Sequence, residues 1–342
     1  MKKLKIGIIG LGAISNTHIF NIKKYKDAEI VGIYDIQIER AVSASLTHQI
    51  PYVQTFQELL DLHPDVVHVL TPHDTHYEIV KELLNNHIHV LAEKPLTIDY
   101  LQAIELAEIA ADKEVILSVC LQNRTNKTTK KMIELKNSKP FGKLLSSRGL
   151  VYWKRDMNYY KQSSWRGTKN HEGGGVLINQ AIHTLDILTL LGGEIDFLYG
   201  SYFNYLLPEI EVEDNVQIVI KFKNQSLGFL SATNNYPVDS PVEIDLIFEK
   251  GRFKLIGDTL YQLTEEGLEV IEKDSKTIGE KFYFGASHEN LIHDLYDYIL
   301  YGYGSVVQAK DTITSLEIIN KVYENPDFRE KIFLDTSYFN KN

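Results

Sequence analysis

The amino-terminal segment constrains the fold of this chain most strongly. Leu4–Ile9 is a short apolar run, and after Gly10-Leu11-Gly12-Ala13-Ile14 apolar side chains recur at helical spacing up to residue 25. In the dinucleotide fingerprint, Gly10 would permit the tight turn and Gly12 would let a pyrophosphate approach the helix amino terminus. Ser15 stands where a third Gly or Ala is usual. A simple strand–helix turn is the alternative, but the position between a strand and an amphipathic helix favours dinucleotide binding.

Strands and helices alternate through the first 122 residues. Further strands are predicted at 29–34, 66–70, 88–92 and 115–119, with helices at 38–45, 56–60, 76–84 and 98–111. Beyond residue 140 the period changes to two, in hairpins at 216–231 and 244–255, with helices at 176–191, 289–300 and 311–323. We therefore predict a doubly wound α/β Rossmann domain at 1–122. An α+β domain with a mostly antiparallel, open-faced sheet follows at 123–342. Its open face is either covered by another subunit or polar enough to stay in water.

Composition and charge exclude several classes of protein. The 342 residues carry a net charge of −10, which disfavours binding to nucleic acid or to an anionic membrane. Cys120 is the single cysteine, which excludes an internal disulfide and a cysteine-rich zinc site and suits a reducing cytoplasm. The lysine-flanked apolar start lacks the small-residue cleavage site of a signal peptide. No membrane span is expected, because we find no stretch of about 18 apolar residues.

Charged side chains lie at the ends of two predicted strands of the first domain. Glu93-Lys94-Pro95 leaves the fourth strand at its carboxyl end, the edge where ligands bind in open α/β sheets. Pro95 biases Lys94 towards an extended backbone, which favours a functional amine over a solvated loop lysine. Asp35 ends the second strand, where a carboxylate accepts hydrogen bonds from ribose hydroxyls and repels a 2′-phosphate. We therefore expect NAD rather than NADP, with a helix cap as the alternative role of Asp35.

Thr71-Pro72-His73 follows the third strand, and His76 opens the next helix. The backbone of this segment would run along the nicotinamide side of the cofactor. His73 and His76 have the spacing of metal ligands, but no third ligand is visible, and we predict no metal site.

Three polar residues share one face of the apolar helix that follows Gly173-Gly174-Gly175. Asn179, His183 and Asp186 are separated by four and three positions. A lone histidine in such a helix is usually a packed core residue. Three polar groups on one face, in a helix entered through three glycines, favour a functional role instead.

Residues 148–169 are basic and aromatic in an acidic chain. The cations and aromatic residues of this segment are Arg148, Tyr152, Trp153, Lys154, Arg155, Tyr159, Tyr160, Lys161, Trp165, Arg166 and Lys169. Aromatic faces pack on sugar rings, and guanidinium groups bind carboxylate or phosphate, so this segment is a candidate substrate wall. A sheet edge blunted by positive charge is the alternative.

As a set, these motifs resemble the Gfo/Idh/MocA family, named for glucose-fructose oxidoreductase and inositol dehydrogenase. The resemblance rests on the glycine turn, Asp35, Thr71-Pro72, Glu93-Lys94-Pro95, Gln122-Asn123-Arg124, Trp165-Arg166-Gly167 and GGGVLINQAIHTLD. It implies hydride transfer between NAD and a secondary alcohol or aldehyde of a sugar, cyclitol or nucleotide sugar. It also implies a carboxyl-terminal sheet that forms a homodimer or homotetramer. Family members that bind dinucleotide without turnover and act as regulators are the alternative, but the chain retains Lys94 and His183.

The resemblance also assigns residues to roles. Lys94 would donate to the developing alkoxide and His183 would take the hydroxyl proton. The residues expected to bind the cofactor are Gly10, Gly12, Ala13, Ile14, Asp35, Arg40, Thr71, Pro72, His73, His76, Glu93, Lys94, Gln122, Trp165 and Arg166. Those expected to bind substrate are Lys94, Arg124, Arg155, Trp165, Arg166, Asn179 and His183.

Two positions depart from the usual family pattern. Asn179 stands where Asp is usual, and because an amide cannot act as a base we assign it the orientation of the ring. The resulting NQ-x-IH form is similar to the branch of UDP-N-acetylglucosamine and UDP-N-acetylglucosaminuronate 3-dehydrogenases. His73 stands where Asn is common.

Overall fold

The computed structural model describes residues 3–275, 287–327 and 329–335. The first part of the chain runs β1 (Leu4–Ile9), α1 (Ser15–Lys24), β2 (Ala28–Tyr34), α2 (Ile38–His48), α3 (Phe56–Asp61), β3 (Val66–Val69), α4 (His76–Asn85), β4 (His89–Ala92), α5 (Tyr100–Asp112) and β5 (Leu117–Val119). The rest runs α6 (Lys127–Ser138), β6 (Leu144–Tyr152), α7 (Met157–Lys161), α8 (Lys169–Glu172), α9 (Ile182–Gly192), β7 (Ile195–Phe203), β8 (Asn215–Phe222), β9 (Leu227–Thr233), β10 (Glu243–Phe248), β11 (Gly251–Ile256), β12 (Thr259–Thr264), β13 (Gly267–Lys273), α10 (Ser287–Tyr301) and α11 (Ile313–Glu324). Short 3₁₀ helices lie at His73–Thr75, Gln122–Thr125 and Ala309–Thr312, and a π-helix lies at Leu177–Ala181.

The chain forms two compact units. The first unit contains the described residues up to Gln122 together with His288–Ile313, and the second contains the others. Residues 288–313 belong to the second domain predicted from the sequence, whereas in the structure this segment packs with the first unit. The reason lies in α10, whose Tyr296 is fully buried and has its hydroxyl 2.7 Å from Nε2 of His68 in β3. The apolar period of α10 predicted a helix but carried no information about its packing partner.

The first unit is built on five parallel strands in the order β2-β1-β3-β4-β5. Residues 51–53 run beside β2, where Ile33 N–H donates to the Pro51 carbonyl (3.1 Å) and Val53 N–H donates to the Ile33 carbonyl (3.0 Å). With this short segment as an outer strand, the order is that of the doubly wound nucleotide-binding sheet. The order reverses between β1 and β3, and the carboxyl ends of these two strands form the ligand-binding edge. The predicted Rossmann-type sheet is confirmed.

The second unit is built on eight strands in the order β13-β12-β11-β10-β6-β9-β8-β7. All neighbours are antiparallel except β6 and β9, which run parallel, so the predicted mostly antiparallel sheet is confirmed. Arg148 lies on β6, an interior strand, and its Nε donates to Asp245 on β10 (2.8 Å). The interpretation of Arg148 as charge at a sheet edge is therefore wrong.

The helical stretch Lys169–Gly192 is long and apolar enough to cross a membrane by length and composition, with a mean hydropathy of 1.3 in its most apolar window. Because 89% of that window is buried inside the protein, packing in the core accounts for its apolar composition without a bilayer.

Candidate active site

The glycine turn after β1 has the shape that a dinucleotide requires. Gly10 has φ +90°, and a Cβ there would lie 2.7 Å from the carbonyl carbon of Leu70 and 2.8 Å from the nitrogen of Thr71. At Gly12 a Cβ would meet nothing within 4 Å, which leaves open space before the amino terminus of α1. Ser15 fits this turn because its hydroxyl donates to the Gly12 carbonyl at 2.7 Å. The first turn of α1 carries no acidic residue, so the helix dipole is available to a pyrophosphate.

Asp35 is buried at the end of β2 and holds the glycine turn. Its Oδ2 accepts from Leu11 N–H (2.7 Å) and its Oδ1 from Gln37 N–H (2.8 Å). A carboxylate has further lone pairs, so these bonds leave acceptor sites for ribose hydroxyls. Nη1 of the half-exposed Arg40 lies 3.9 Å from Oδ2. The Asp35 carboxylate, which opposes a 2′-phosphate, therefore lies near the Arg40 guanidinium, a group that can bind a 2′-phosphate.

His76 joins the loops that follow β3 and β4. This buried ring has Nδ1 2.9 Å from the Pro95 carbonyl oxygen and Nε2 2.8 Å from that of Thr71. Burial lowers the pKa of His76, although the two carbonyl groups act in the opposite direction. His73 is also buried, with its ring centroid 6.2 Å from that of His76. Both ring nitrogens of His76 are engaged with backbone oxygens, which gives this histidine a loop-bracing role.

Glu93 and Lys94 emerge at the carboxyl end of β4, and the Lys94–Pro95 peptide is cis. Glu93 Oε1 lies 3.1 Å from His18 Nε2, and Oε2 accepts from the backbone N–H of Lys94 at 3.2 Å. Burial acts to raise the pKa of Glu93, but hydrogen bonds and charges from His18 and His288 hold it well below its usual value. The carboxylate beside Lys94 is therefore an anion.

His18, Glu93 and His288 are the only group of metal-ligand type within residues 3–275, 287–327 and 329–335, with ligand atoms within 4.8 Å of one another. The contact of 3.1 Å between His18 and Glu93 is a hydrogen-bond distance. If His18 is neutral and donates through Nε2 to the Glu93 carboxylate, that nitrogen has no lone pair for a metal ion.

Asp186 and Arg124 form an ion pair inside the second unit. Arg124 Nε donates to Oδ2 of Asp186 (2.7 Å) and Nη2 donates to Oδ1 (2.6 Å). Asp186 is buried and also accepts from the Ser315 hydroxyl at 3.0 Å. The sequence grouped Asp186 with the functional face of α9 and assigned Arg124 to substrate. In the structure these two side chains form a two-point salt bridge with each other, and the substrate role of Arg124 stays a prediction.

The segment before α9 orients Asn179. Residues Leu177–Ala181 form a π-helix, so the spacing of a regular α-helix does not apply between Asn179 and His183. Asn179 Nδ2 donates to Oε1 of the fully buried Glu172 at 2.5 Å, and Glu172 Oε2 accepts from Gly167 N–H at 2.5 Å. His183 is buried on the first turn of α9. Sequence reasoning missed Glu172, although an acid directly before three glycines in an apolar segment was the available signal.

Two of the three glycines are accounted for by close contacts with Tyr323 and with Glu213. The Glu213 carboxylate accepts from Gly175 N–H (2.8 Å), Leu177 N–H (2.9 Å) and the Tyr323 hydroxyl (2.9 Å). A Cβ at Gly175 would lie 1.9 Å from the Glu213 carbonyl oxygen, and one at Gly174 would lie 2.1 Å from the Tyr323 hydroxyl. Burial raises the pKa of Glu213 to about 7, against the lowering effect of these hydrogen bonds. A cavity of about 330 Å³ adjoins this cluster and is lined by Gly174, Glu213 and Tyr323 among others.

We expect the protein to lose stability as the pH rises from 4.5 to about 7, the ordinary and the raised pKa of Glu213. In this interval the folded protein keeps a proton that the unfolded chain has released, so a rise in pH favours unfolding. The contribution is roughly 3 kcal/mol at most. Glu213→Gln should remove this part of the slope of melting temperature against pH, whereas Glu211→Gln, at an exposed carboxylate nearby, should not. Parallel slopes for the wild type and Glu213→Gln would contradict the assignment.

Two arginines lie against Tyr159 in the basic aromatic segment. The guanidinium carbons of Arg155 and Arg166 lie 5.3 and 4.4 Å from the centre of the Tyr159 ring. Arg155 also lies over Trp153 at 4.9 Å, and Arg166 lies over Trp165 at 5.3 Å. Cations held over aromatic faces keep their direction, so the segment presents two fixed positive groups.

The two guanidinium groups differ in their hydrogen bonds. Nη1 of Arg155 donates to Asp239 Oδ1 at 2.9 Å and to the Lys154 carbonyl at 2.6 Å. Nε of Arg166 is buried and has no hydrogen-bond partner among the described residues. A buried donor without a partner is costly, and an anionic ligand would satisfy it.

A cavity in the first unit lies away from this chemistry. It has a volume of about 440 Å³ and is lined by Leu4, Asp65 and His89 among others. These residues begin or precede β1, β3 and β4, so the cavity lies at the amino edge of the sheet, opposite the glycine turn.

Comparison with known proteins agrees with this architecture. The family described as "Oxidoreductase family, NAD-binding Rossmann fold" matches residues 4–121, and the "GFO/IDH/MocA C-terminal domain" matches residues 129–254. Glucose-6-phosphate 3-dehydrogenase of Bacillus subtilis (strain 168) is 26% identical over 280 residues, which cover 78% of this chain and 79% of that protein. Myo-inositol 2-dehydrogenase of Thermotoga maritima is 25% identical over 276 residues, which cover 77% and 79%.

A solved structure shares the fold. The WlbA dehydrogenase from Bordetella pertussis, in complex with NADH and UDP-GlcNAcA, superposes with a TM-score of 0.86 at 22% identity, over 98% of this chain and 100% of that one. The family matches extend over both units, and the glycine turn and Asp35 fit the cofactor of the family. The chain therefore belongs to the Gfo/Idh/MocA family of NAD-dependent oxidoreductases.

Proposed function

We propose that this enzyme transfers a hydride between nicotinamide and a ring carbon of an anionic sugar, cyclitol or nucleotide sugar. The observation that carries the anionic character is the pair Arg155 and Arg166, both held against the Tyr159 ring, with the buried Nε of Arg166 open to an acceptor. Guanidinium groups in this setting suit phosphate or carboxylate. The names of two similar proteins, glucose-6-phosphate 3-dehydrogenase and the UDP-GlcNAcA-bound WlbA dehydrogenase, also contain anionic sugars.

We assign different residues to cofactor binding and to proton transfer. Gly10, Gly12 and the amino terminus of α1 would hold the pyrophosphate of NAD, and Asp35 would hold the ribose. The bound cofactor supplies nicotinamide C4 as hydride acceptor in oxidation and as hydride source in reduction. Neutral His183 accepts the hydroxyl proton, and Lys94 donates a hydrogen bond to the developing alkoxide.

Asn179 has a supporting part in this proposal. Its amide donates to Glu172, which fixes the direction of the side chain. A fixed amide can orient a sugar ring through hydrogen bonds but cannot act as a base. This assignment accommodates the replacement of the usual Asp.

Fluorescence of reduced cofactor tests the substrate class directly. The purified protein with NAD is mixed with neutral sugars, inositols, sugar phosphates, sugar acids and UDP-sugars. We expect signal with anionic compounds. NAD binding without turnover of any compound would instead favour the regulatory alternative.

Arg166→Gln should raise the KM for an anionic sugar by about tenfold, a change of 1.4 kcal/mol. The physical reason is the loss of a charge-assisted hydrogen bond to the anionic group. NAD affinity, measured by fluorescence titration, should change less. Arg148→Gln is the matched control, because Arg148 is paired with Asp245 on the sheet. An equal rise in KM for a neutral cyclitol would show that charge recognition is not the role of Arg166.

We also propose self-association through the open face of the second sheet, as a homodimer or homotetramer in the cytoplasm. Exposed apolar side chains that share one face of this sheet include Leu227, Phe229, Ile247 and Leu263. Apolar groups collected on a sheet face favour a protein partner over water. The mass of the intact protein in solution, from light scattering, would show the assembly.

A further inference from the structure

Four polar side chains form a continuous hydrogen-bond chain through the interior of the first unit. Tyr296 of α10 has its hydroxyl 2.7 Å from Nε2 of His68 in β3. Nδ1 of His68 lies 2.8 Å from Nδ1 of His18 in α1, and Nε2 of His18 lies 3.1 Å from Oε1 of Glu93. Tyr296, His68 and His18 are fully buried. The chain ends on the carboxylate that precedes Lys94.

The direction of these bonds follows from Glu93. An ionised carboxylate only accepts, so His18 Nε2 carries the proton. A neutral imidazole has one N–H, so His18 Nδ1 is an acceptor and His68 Nδ1 must donate to it. His68 Nε2 is then an acceptor, and the Tyr296 hydroxyl donates to it. Every donor meets an acceptor in this arrangement.

The buried surroundings of His18 and His68 favour the neutral form of both imidazole rings. Burial lowers the pKa of His18, with Glu93 acting in the opposite direction, and burial lowers that of His68 well below its usual value. The titratable or charged groups that face Glu93 are His18 from α1, His68 from β3, His76 from α4, His288 from α10, Cys120 after β5 and the neighbouring Lys94.

We propose that Tyr296, His68 and His18 are positioning residues that act on Lys94 through Glu93, which rests on the proposed catalytic role of Lys94. His18 fixes Oε1 of the Glu93 carboxylate, and Oε2 accepts from the Lys94 backbone N–H at 3.2 Å. The Glu93 carboxylate thereby sets the direction in which the polypeptide backbone leaves β4 at Lys94. Burying a chain of hydrogen-bonded polar groups costs more free energy than burying apolar side chains of similar size. A fully satisfied chain of this kind fixes a single geometry.

A metal ion held by His18, Glu93 and His288 is incompatible with this arrangement. The ion would need the lone pair of His18 Nε2, so the proton would move to His18 Nδ1 and every bond in the chain would reverse. Metal content and ring tautomers therefore distinguish the two states.

Nitrogen-15 NMR of histidine-labelled protein tests the direction without any assay of activity. The 12 histidines are assigned with the help of the His18→Gln and His68→Gln variants. We expect a proton on Nε2 and none on Nδ1 of His18, and the opposite tautomer for His68. An imidazolium, the reverse tautomers, or stoichiometric zinc in the purified protein that is lost in His288→Ala would overturn the proposal.

Kinetics test the link to Lys94. His18→Leu removes the donor to Glu93, and His18→Gln keeps an amide N–H near the position of Nε2. Without His18 only His288 still lowers the pKa of Glu93 against the effect of burial, so that pKa should rise and the active ionised form should be lost as the pH falls. The ratio of His18→Leu to wild-type kcat/KM should fall by about tenfold between about pH 8 and pH 6. His18→Gln should stay close to the wild-type profile. His89→Gln, at a histidine of the same sheet outside the chain of bonds, is the control.

The outcomes separate this proposal from the proposed function. The positioning role would be overturned if the tautomers are as expected but the pH profiles of His18→Leu and His18→Gln both match that of the wild type. A His18→Leu profile lowered equally at every pH, without rescue by glutamine, would also overturn it, because it reports general loss of structure. Failure of the proposed function would appear elsewhere, as a Lys94 variant with an unchanged rate of hydride transfer.

Discussion

Lys94→Met should lower the rate of hydride transfer in a single turnover by a factor on the order of 10² or more. Lys94 follows a carboxylate that is fixed at the ligand-binding edge of the sheet, and its ammonium group would stabilise the developing alkoxide. Methionine keeps the length of the side chain and removes the charge. NAD affinity should change much less than this rate, because the pyrophosphate and ribose contacts are assigned to the glycine turn and Asp35 and not to Lys94. Stopped-flow fluorescence of the reduced cofactor measures the rate, and a titration measures the affinity.

His183→Ala should produce a loss of similar size, and the double variant should lose much less than the product of the two factors. Groups that serve one proton transfer are not additive, since removing either disables the same step. Lys81→Met, at a lysine that pairs with Glu105 on the first unit, is the control for loss of a positive charge. A Lys94→Met enzyme that reduces bound NAD at the wild-type rate would show that this lysine is structural.

NAD should bind at least tenfold more tightly than NADP, a difference of about 1.4 kcal/mol. The buried carboxylate of Asp35 opposes a 2′-phosphate, and Arg40, with Nη1 3.9 Å from it, would attract one once the carboxylate charge is removed. Asp35→Asn, which preserves the shape, and Asp35→Ser should therefore both narrow the gap. Adding Arg40→Gln to either variant should weaken NADP binding again.

Fluorescence titrations with the two cofactors measure these constants. The comparison of Asp35→Asn with Asp35→Ser separates charge from structure, because Asp35 also accepts from Leu11 and Gln37 N–H groups. If NAD binding weakens in both variants and NADP binding never improves, the role of Asp35 is to hold the glycine turn. Equal dissociation constants in the wild-type protein would refute the preference itself.

Local sequence patterns were sufficient for the frame of the first unit. The apolar runs of β1 and β4, the open turn at Gly12 and the exit of Lys94 at a strand end depend on neighbouring residues and on alternation of strand and helix. The period-two pattern likewise predicted the second sheet, but the parallel pairing of β6 with β9 could not be read from it.

The hydrogen-bond partners of the buried polar side chains could not be predicted from the sequence. Arg124 and Asp186 are 62 positions apart, and helical spacing could not reveal their salt bridge because it describes neighbours on one helix only. Glu213 lies 38 positions from Gly175, whose missing Cβ makes room for its backbone. Neither pairing has a periodic signature, since a buried carboxylate takes whichever donor the fold brings near it.

The sequence by itself determined the strand and helix order, the glycine turn and the appearance of Lys94 at the edge of a parallel sheet, because these follow from local conformational preference and apolar periodicity. Only the tertiary structure decided which donor meets each buried acceptor. Tyr296 and His68 are 228 positions apart, yet their hydrogen bond makes α10 part of the first unit and begins the chain that ends at Glu93. Buried polar groups must be satisfied, and the fold, through contacts between distant residues, determines how they are.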